Sequence, residues 1–562
     1  LYRGQILVPF SPEAPLSGVG RQLLPGQVLH YSRRFPLSQK PAGKRLLLHF
    51  GAVDERCRVC VNGREAGRHR GGYLPFSFDI TELVRAGENT LSVSCRDDSD
   101  TSFHSRGKQR LKRGGIFYTA QSGIWQTVWM EWVPEVYIES IRLTPDYDRE
   151  AVQIHLDIHD PAASLPAAHN DTGPRHPSGE TASFAFRIEA QVSSQGRTVA
   201  QFSTESTDFQ MVLHNFTPWT PDNPFLYDLE LRLFTAGDEE GDRVSSYFAM
   251  RCFSVERDAG GIARLCLNHV PYFQNGALDQ GYWPDGLYTA PCDEALISDI
   301  RRMKEAGFNM LRKHCKLEPL RWYYHCDRLG MLVWQDMVNG GSSYDMTRIC
   351  YLPTVLPSCG ARPGERRRAA GRMNPEGREE WFRETQASID HLYSCPCIAG
   401  WVLFNEGWGQ FDTVRATDFA RALDPTRFID QASGWFDHQG GDMRSVHNYF
   451  RPLACPETNT ESRDAAKPLC ANRCGLRAAV ISEYGGLALP VPGHTASEAV
   501  FGYRSLKSAA EFRERFAALQ EQIQKLQKNG LSAAVYTQVS DIEDEMNGIL
   551  TYDRRVNKLS FH

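Results

Sequence analysis

The sequence predicts a multidomain protein of β and α/β parts, in which two β-rich domains precede a (β/α)8 barrel. The length of 562 residues, at roughly 100–200 residues per domain, suggests three or four domains. Strand-type runs separated by turn residues fill the first part of the chain, and short apolar strands alternate with amphipathic helices in the second. We therefore divide the chain into domains over residues 1–134, 135–255 and 256–562.

The first two predicted domains are antiparallel β structures. Residues 1–134 contain short β-type runs that end at Gly, Asn-Gly or Asp-rich turns, which indicates an antiparallel sandwich. Residues 135–255 contain further strands that fit a small immunoglobulin-like sandwich. Within them, residues 161–180 are rich in Pro, Ala, His, Ser and Gly without an apolar period, and we predict a flexible loop there.

The chain after residue 255 predicts the barrel. Its eight candidate strands lie at residues 273–277, 309–314, 332–336, 401–406, 427–431, 445–449, 479–483 and 533–538. Eight strands alternating with helices over about 300 residues are typical of a (β/α)8 barrel. One helix is evident from helical spacing, with Gly530 after its last apolar residue; these residues are Phe512, Phe516, Leu519, Ile523 and Leu526. Residues 340–372 predict a long loop on the face where barrel active sites lie.

Composition and charge exclude several classes of protein. The chain carries 63 basic and 68 acidic residues, so it lacks the positive charge of a nucleic-acid-binding protein. No apolar run approaches the roughly 18 residues that a membrane span requires. The 15 cysteines are an odd number without the spacing of a disulfide framework, which favours a reducing, cytoplasmic compartment. We expect neither a nucleic acid nor a membrane as partner.

Two glutamates end predicted barrel strands, where catalytic groups of such barrels lie. Glu406 ends the fourth strand and Glu483 ends the seventh. Two facing carboxylates are what glycosidic cleavage requires, because one donates a proton to the leaving oxygen while the other attacks or stabilises the sugar carbon. Trp408 and Trp435 follow strand ends, and we predict that their rings stack on sugar.

These motifs give the chain a family resemblance. The sequence resembles glycoside hydrolase family 2, the β-galactosidase, β-glucuronidase and β-mannosidase group, along nearly all of its length. The matching segments, in chain order, are G-I-W-Q-T-V-W at 123–129, W-T-P-D-N-P-F-L-Y at 219–227, G-F-N-M-L-R at 307–312, C-D-R-L-G at 326–330, N-E at 405–406 and S-E-Y-G at 482–485. The resemblance implies an N-terminal sugar-binding jelly roll, an immunoglobulin-like sandwich and a catalytic barrel.

The resemblance also implies roles for single residues. Glu483 would be the nucleophile of a retaining double displacement and Glu406 its acid and base. Asn405 would bind the 2-hydroxyl of the sugar, Tyr449 would hydrogen-bond the nucleophile, and Arg312 would hold it ionised. We expect His314 and His447 to point towards the barrel mouth as well. For both histidines, contact with substrate and a purely structural hydrogen bond remain open alternatives.

Departures from the family pattern narrow the substrate. Family glucuronidases read the sugar carboxylate with Asn-x-Lys, whereas this chain has Glu545 and Asn547 there, so we predict no glucuronidase activity. Gly340 and Ser342 stand where large galactosidases bind magnesium, so we predict no such metal and no cofactor. A β-galactoside is the first candidate substrate. Furanosides (of α-L-arabinofuranosidase or β-galactofuranosidase type) and β-mannosides are the alternatives.

Two other functions are compatible with the same scaffold. A non-catalytic carbohydrate-binding protein would keep the fold, although both carboxylates are present. A transglycosylase would use the same covalent intermediate. A loop over residues 97–109 of the first domain is the segment that we expect to approach the barrel mouth, with a solvated charged turn as the alternative. The sequence leaves the oligomeric state open, and a homo-oligomer is one of the possibilities.

Overall fold

The fold is described from a computed structural model that covers residues 3–161, 186–236, 238–355, 367–457 and 476–560. The loop predicted over residues 161–180 lies outside the described residues apart from Pro161. Of the loop predicted over residues 340–372, residues 356–366 lie outside them as well. Within the described ranges, no helix combines the length and the apolar content that a membrane span requires.

The first domain is a β-sandwich, as predicted. A four-stranded sheet of order β1-β7-β4-β5 faces a three-stranded sheet of order β11-β2-β6. Leu48 of one sheet and Val59 and Val93 of the other share one buried apolar core. The strands are β1 (Leu29–Leu37), β2 (Lys44–Phe50), β3 (Val53–Asp54), β4 (Arg56–Val61), β5 (Arg64–Arg70), β6 (Phe76–Asp79), β7 (Gly87–Arg96), β8 (Gln109–Arg110), β9 (Tyr118–Thr119), β10 (Gly123–Ile124) and β11 (Val128–Pro134).

The second domain is a smaller antiparallel sandwich. Its sheets have the orders β12-β13-β16 and β15-β14-β17-β18. Alternate residues point into the core between them, where Ile154 and Leu231 are buried, which is the period-two pattern of half-buried strands. The strands are β12 (Tyr137–Asp146), β13 (Ala151–His159), β14 (Phe186–Ser194), β15 (Arg197–Thr204), β16 (Asp208–Val212), β17 (Tyr227–Thr235) and β18 (Asp238–Phe248).

The third part is a nearly closed parallel barrel, which confirms the predicted fold class. A three-stranded sheet, β19 (Phe253–Arg257), β20 (Ala263–Leu267) and β21 (Val270–Pro271), precedes it. The barrel order is β26-β25-β24-β23-β22-β31-β28-β27. Its strands are β22 (Gln274–Asp279), β23 (Met310–Lys313), β24 (Leu332–Asp336), β25 (Ile398–Val402), β26 (Phe428–Asp430), β27 (Met443–Asn448), β28 (Ala478–Gly485) and β31 (Leu531–Thr537), with β29 (Leu487–Ala488) and β30 (Arg504–Ser505) between the last two.

Helices connect the barrel strands. They are α1 (Asp293–Glu305), α2 (Leu320–Leu329), α3 (Leu352–Val355), α4 (Pro375–Leu392), α5 (Thr413–Leu423) and α6 (Ala509–Lys528). Helix α6 matches its predicted pattern, because Phe512, Phe516 and Ile523 are buried and the Ser508 hydroxyl accepts from the Glu511 amide at its start. The described part of the predicted loop at 340–372 contains α3 and a π-helical turn, Thr347–Tyr351.

The fourth barrel strand ends earlier than the sequence pattern predicts. Strand β25 stops at Val402, whereas the predicted strand continues to Glu406. Glu406 has a φ of 51°, a left-handed conformation that a continuing strand does not allow. Its amide donates to the Ser433 carbonyl at 2.9 Å, which holds the turn. The apolar run therefore continues beyond the strand because Leu403 and Phe404 are buried in the core, not because they belong to the sheet.

Candidate active site

Glu406 and Glu483 come together at one end of the barrel. Glu406 lies just beyond β25 and Glu483 lies within β28. Both side chains are buried, with 5% and 6% of their surface exposed. Oxygen atoms of the two carboxylates and a ring nitrogen of His447 all lie within 4.8 Å of one another. The two carboxylates thus face each other across a narrow gap that is largely closed to water.

The surroundings of Glu483 stabilise its ionised form. Its Oε1 accepts from Arg312 Nη1 at 3.0 Å, and its Oε2 accepts from the Tyr449 hydroxyl. Burial alone would raise the pKa of Glu483, but the charges of His447 and Arg312 outweigh that effect and lower it to about 2. Glu483 is therefore a carboxylate at neutral pH.

Arg312, the third residue of β23, is fully buried and uses all of its donors. Its guanidinium donates to both oxygens of Asp336 at 2.9 Å, to the Ser482 carbonyl at 3.2 Å and to Asn405 Oδ1 at 2.8 Å, besides Glu483. Burial would lower the pKa of Arg312, but Asp336 and Glu483 raise it, so the group stays charged. The bond to Asn405 Oδ1 also orients that amide, whose Nδ2 has no partner among the described residues.

Asp336 is a site residue that the sequence analysis missed. It ends β24 and binds Arg312 with both oxygens. Its Oδ2 also lies 2.5 Å from His314 Nδ1. The signal was present, since Asp336 ends an apolar run of the sequence in the same way as the two glutamates.

His447 bridges the two glutamates. Its Nδ1 lies 2.8 Å from Glu406 Oε1, and its Nε2 lies 3.4 Å from Glu483 Oε1 and 2.8 Å from the Ser433 hydroxyl. The Nδ1 donates a hydrogen bond to an ionised Glu406 or accepts one from a protonated Glu406, depending on the tautomer. His447 thus lies between the two carboxylates and contacts both.

His314 contacts Asp336, the carboxylate that binds Arg312. It is buried against Asp336, and burial together with the positive charge of Lys108 lowers the pKa of His314 to about 4. The ring is therefore neutral at physiological pH. Substrate contact and a structural hydrogen bond were the two alternatives for His314. The contact observed is a hydrogen bond within the protein, to the Asp336 carboxylate that binds Arg312.

The two tryptophans are more enclosed than sugar-stacking rings on an open surface. Trp408 is 1% exposed and packs near Phe117 and Tyr344. Trp435 is 8% exposed, and its Nε1 donates to the carbonyls of Ile349 at 2.6 Å and Glu406 at 3.1 Å. Both rings border the site, and their stacking on sugar stays a prediction.

A segment of the first domain reaches the barrel mouth. We call residues 104–110 the strap. The amides of Arg106 and Gly107 donate to the Asn339 carbonyl at 2.8 and 3.0 Å, and the Arg106 guanidinium donates to the Gly341 carbonyl. The Ser105 hydroxyl donates to Glu384 of α4. The strap is thereby fastened to the loop after β24 and brings Lys108 to the site, a residue that we had not singled out.

Glu545 and Asn547 stand where glucuronidases bind the carboxylate of the sugar. In this chain both residues form hydrogen bonds with other side chains of the protein. Glu545 accepts from the Tyr118 hydroxyl and from Asn547 Nδ2 at 2.9 Å. Gln538 in turn donates to Asn547 Oδ1 at 2.9 Å.

Tyr503 is another site residue that the sequence did not predict. Its ring stacks on that of Tyr449, with ring centroids 3.5 Å apart.

Two groups of side chains in the described ranges have the spacing of a metal site. They are His314, Cys315 and Asp336, and the trio of Glu406, His447 and Glu483. The Asp336 oxygens already bind Arg312 and His314, and the second group contains the two facing carboxylates. The donors of both groups therefore have partners within the protein. The absence of a metal stays a prediction.

Three family models match successive parts of the chain. "Glycosyl hydrolases family 2, sugar binding domain" matches residues 24–130, "Glycosyl hydrolases family 2" matches 136–251, and "Glycosyl hydrolases family 2, TIM barrel domain" matches 291–560. They appear in the same order as the three structural parts.

Known proteins resemble the chain at low identity. A β-galactosidase of Thermoanaerobacter pseudethanolicus is 25% identical over 312 residues, 55% of this chain and 39% of the relative. A putative β-glucuronidase of Formosa agariphila is 24% identical over 426 residues, 71% and 43% of the two chains. The chain thus spans less than half the length of these curated relatives.

Solved structures share the fold over nearly the whole chain. A β-D-glucuronidase of Dictyoglomus thermophilum superposes with a TM-score of 0.71 at 17% identity, covering 98% of this chain and 91% of the other. A putative β-galactosidase of Bacteroides fragilis gives 0.66 at 18%, covering 95% and 77%. At such identity the likeness supports the fold alone. Because the family models together match most of the sequence in the expected order, the chain belongs to glycosyl hydrolase family 2.

Proposed function

We propose that this chain is a retaining exo-glycoside hydrolase that removes terminal sugars from oligosaccharides or glycosides. The observation that carries the proposal is the short distance, within 4.8 Å, between oxygens of Glu406 and Glu483. Retaining enzymes hold their carboxyl groups about 5–5.5 Å apart, whereas inverting enzymes leave about 6.5–9.5 Å for a water molecule. The gap between these two groups supports attack by one of them on the sugar.

The first step transfers the sugar to the protein. Glu483 attacks the anomeric carbon with a lone pair, and the bond from that carbon to the leaving oxygen breaks. Glu406 gives its proton to the leaving oxygen and becomes a carboxylate. The low pKa of Glu483 keeps the nucleophile ionised.

The second step releases the sugar. Glu406, now ionised, takes a proton from a water molecule whose oxygen attacks the anomeric carbon, and the bond to Glu483 breaks. Two inversions at one carbon retain its configuration. His447 lies against both carboxylates, so it holds them at a fixed separation through both steps.

Three neighbours support the reacting groups in this proposal. Arg312 and Tyr449 bind one oxygen each of Glu483 and hold its attacking geometry. Asn405 presents its Nδ2, which is suited to the 2-hydroxyl of the sugar, because its Oδ1 is held by Arg312. A hydrogen bond to that hydroxyl strengthens in the transition state.

A β-galactoside is the first candidate substrate, and furanosides and β-mannosides are the alternatives. The relatives named β-galactosidase support this order, since two of them match at 25% and 23% identity. The pair of Glu545 and Asn547, which bind each other, argues against a glucuronide substrate. At position 547 the chain has Asn in place of the Lys that would bind the sugar carboxylate.

The test is hydrolysis of a panel of nitrophenyl pyranosides and furanosides. We expect wild-type protein to release nitrophenol from one sugar with retained configuration. Glu483→Ala should be inactive, and added azide should give the glycosyl azide of inverted configuration. Glu406→Ala should keep activity on activated leaving groups, which need no proton. Glu514→Ala, on the exposed face of α6, is the matched control and should behave as wild type.

Three results would contradict the proposal or change its assignments. Exchanged phenotypes of the two glutamate variants would reverse the assigned roles. Binding of sugars in calorimetry without turnover of nitrophenyl glycosides or natural oligosaccharides would support the carbohydrate-binding alternative instead. Transfer of sugar to added acceptors in competition with water would identify a transglycosylase.

A further inference from the structure

Two buried cysteines lie directly opposite each other in the first domain. Cys57 of β4 and Cys95 of β7 are partners in the register of these antiparallel strands. Both side chains belong to the apolar core between the two sheets, where Cys57 is 5% and Cys95 0% exposed. Both are free thiols in this structure. Because opposite residues of a sheet point to the same face, the two sulfur atoms lie on the same side of the strands.

The hydrogen bonds between the two strands show that the cysteines occupy a closely spaced position. The amide of Asn62 donates to the Thr90 carbonyl at 2.8 Å, one step beyond the last register pair of β4 and β7. Hydrogen-bonded and non-hydrogen-bonded pairs alternate along antiparallel strands. No bulge interrupts these two strands, and Cys57 lies an odd number of positions before Asn62, so Cys57 and Cys95 form a non-hydrogen-bonded pair. Such pairs have Cα atoms about 4.5 Å apart, within the range of about 4.4–6.8 Å that a disulfide spans.

We propose that Cys57 and Cys95 form a disulfide bond when the chain folds under oxidising conditions, so that β4 and β7 become covalently joined. The oxidant is a small disulfide, for which oxidised glutathione is the probe. One cysteine attacks it as a thiolate and gives a mixed disulfide with release of one reduced glutathione. The second cysteine then attacks the sulfur of the first and displaces the other glutathione. Two protein thiols are thus oxidised, and one oxidised glutathione becomes two reduced ones.

Burial decides when this reaction takes place. It raises the pKa of Cys57 to about 12 and the pKa of Cys95 well above its ordinary value. The thiolate is the reacting form, so both thiols are unreactive at neutral pH once the core has closed. The bond therefore forms while the sandwich assembles, and the closed core afterwards shields it from reductants.

The bond fastens the part of the first domain that leads to the strap. Glu55, two residues before Cys57, lies 3.2 Å from His104 at the start of the strap. The chain after Cys95 runs through residues 97–103 into the same segment. A disulfide stabilises mainly by restricting the unfolded chain, so the oxidised protein should be more stable with the same fold. The inference is independent of the activity of the barrel.

The experiment produces the full chain in a reducing cytosol and in an oxidising secretory compartment. Free thiols are blocked, pepsin cleaves the protein at low pH, and mass spectrometry identifies linked peptides. We expect the peptides that contain Cys57 and Cys95 to be linked in the secreted protein and separate in the cytosolic protein. The melting temperature of the secreted protein should be about 5–10 °C higher, and a reductant present during unfolding should remove the difference.

Variants separate this pair from the other thiols. Cys60→Ser is the matched control, because Cys60 lies on the same strand opposite Ser92 and should not affect the linked peptides. Cys95→Ser should abolish both the link and the gain in melting temperature. If the secreted chain does not accumulate, refolding of the cytosolic protein from urea with oxidised glutathione gives the same readout.

Two outcomes would overturn the inference. The first is a free thiol at both positions in protein that folded under oxidising conditions. The second is a link from either cysteine to a different one. Oxidation of the folded cytosolic protein as fast as that of the refolding chain would contradict the shielding of the pair by the core.

Discussion

Replacement of Arg312 by methionine tests the electrostatics of the site. The guanidinium Nη1 lies 3.0 Å from Glu483 Oε1, and both groups are buried. At a charge separation of about 4 Å and an effective dielectric constant of about 20, the attraction is about 4 kcal/mol, or about 3 pKa units. Removal of the charge should therefore raise the pKa of Glu483 from about 2 to about 5.

The direction of the effect on activity follows from the nucleophile. Glu483 must be ionised to attack, so activity is lost as the pH falls through its pKa in the folded protein. Wild type should keep its kcat/KM down to the lowest pH at which it stays folded. In Arg312→Met, kcat/KM should fall as the pH drops below about 5 (the acidic limb of the profile). Its value at higher pH, the plateau, should also be lower because the carboxylate is less well positioned.

The assay is the pH profile of kcat/KM with a dinitrophenyl glycoside, whose leaving group needs no proton from Glu406. Arg312→Lys is the matched control, because it keeps the charge but lacks the planar fork. Arg312→Lys should have a lower kcat/KM than wild type, but its kcat/KM should not fall further near pH 5. A lower plateau in Arg312→Met with no limb above about pH 3.5 would show that the arginine acts by position alone and that our electrostatic reasoning is wrong.

Three further variants test other contacts. Asp336→Asn leaves a buried guanidinium short of a charged partner, so we expect a loss of stability of about 3–5 kcal/mol in denaturant unfolding, and an unchanged midpoint would contradict this. Tyr449→Phe removes one donor to Glu483, so we expect kcat/KM to fall about tenfold at every pH without a lower melting temperature, and an unchanged kcat/KM would contradict this. Gly107→Ala places a Cβ 2.7 Å from the Cys315 carbonyl at a φ of 60°, so the strap should shift and kcat/KM should fall about tenfold, whereas full activity would show that the strap position is unimportant.

The sequence alone is sufficient for the architecture and for the two central carboxylates. Period-two runs in the first two domains and the spacing of Phe512, Phe516 and Ile523 are local patterns, and local hydrophobic patterns decide which face of an element is buried. Glu406 and Glu483 were visible because an acidic residue at the end of an apolar run is unusual, and family motifs surround both.

The tertiary structure decided which residues meet at the site. Asp336 ends an apolar run of the sequence as the glutamates do, but its pairing with Arg312 depends on two neighbouring strands placing their ends together. The left-handed turn at Glu406 depends on a bond to the Ser433 carbonyl, which lies just beyond β26. Lys108 reaches Trp408 across 300 positions of chain only because the first domain packs on the barrel. Such contacts follow from the packing of whole elements, for which no local pattern in the sequence carries a signal.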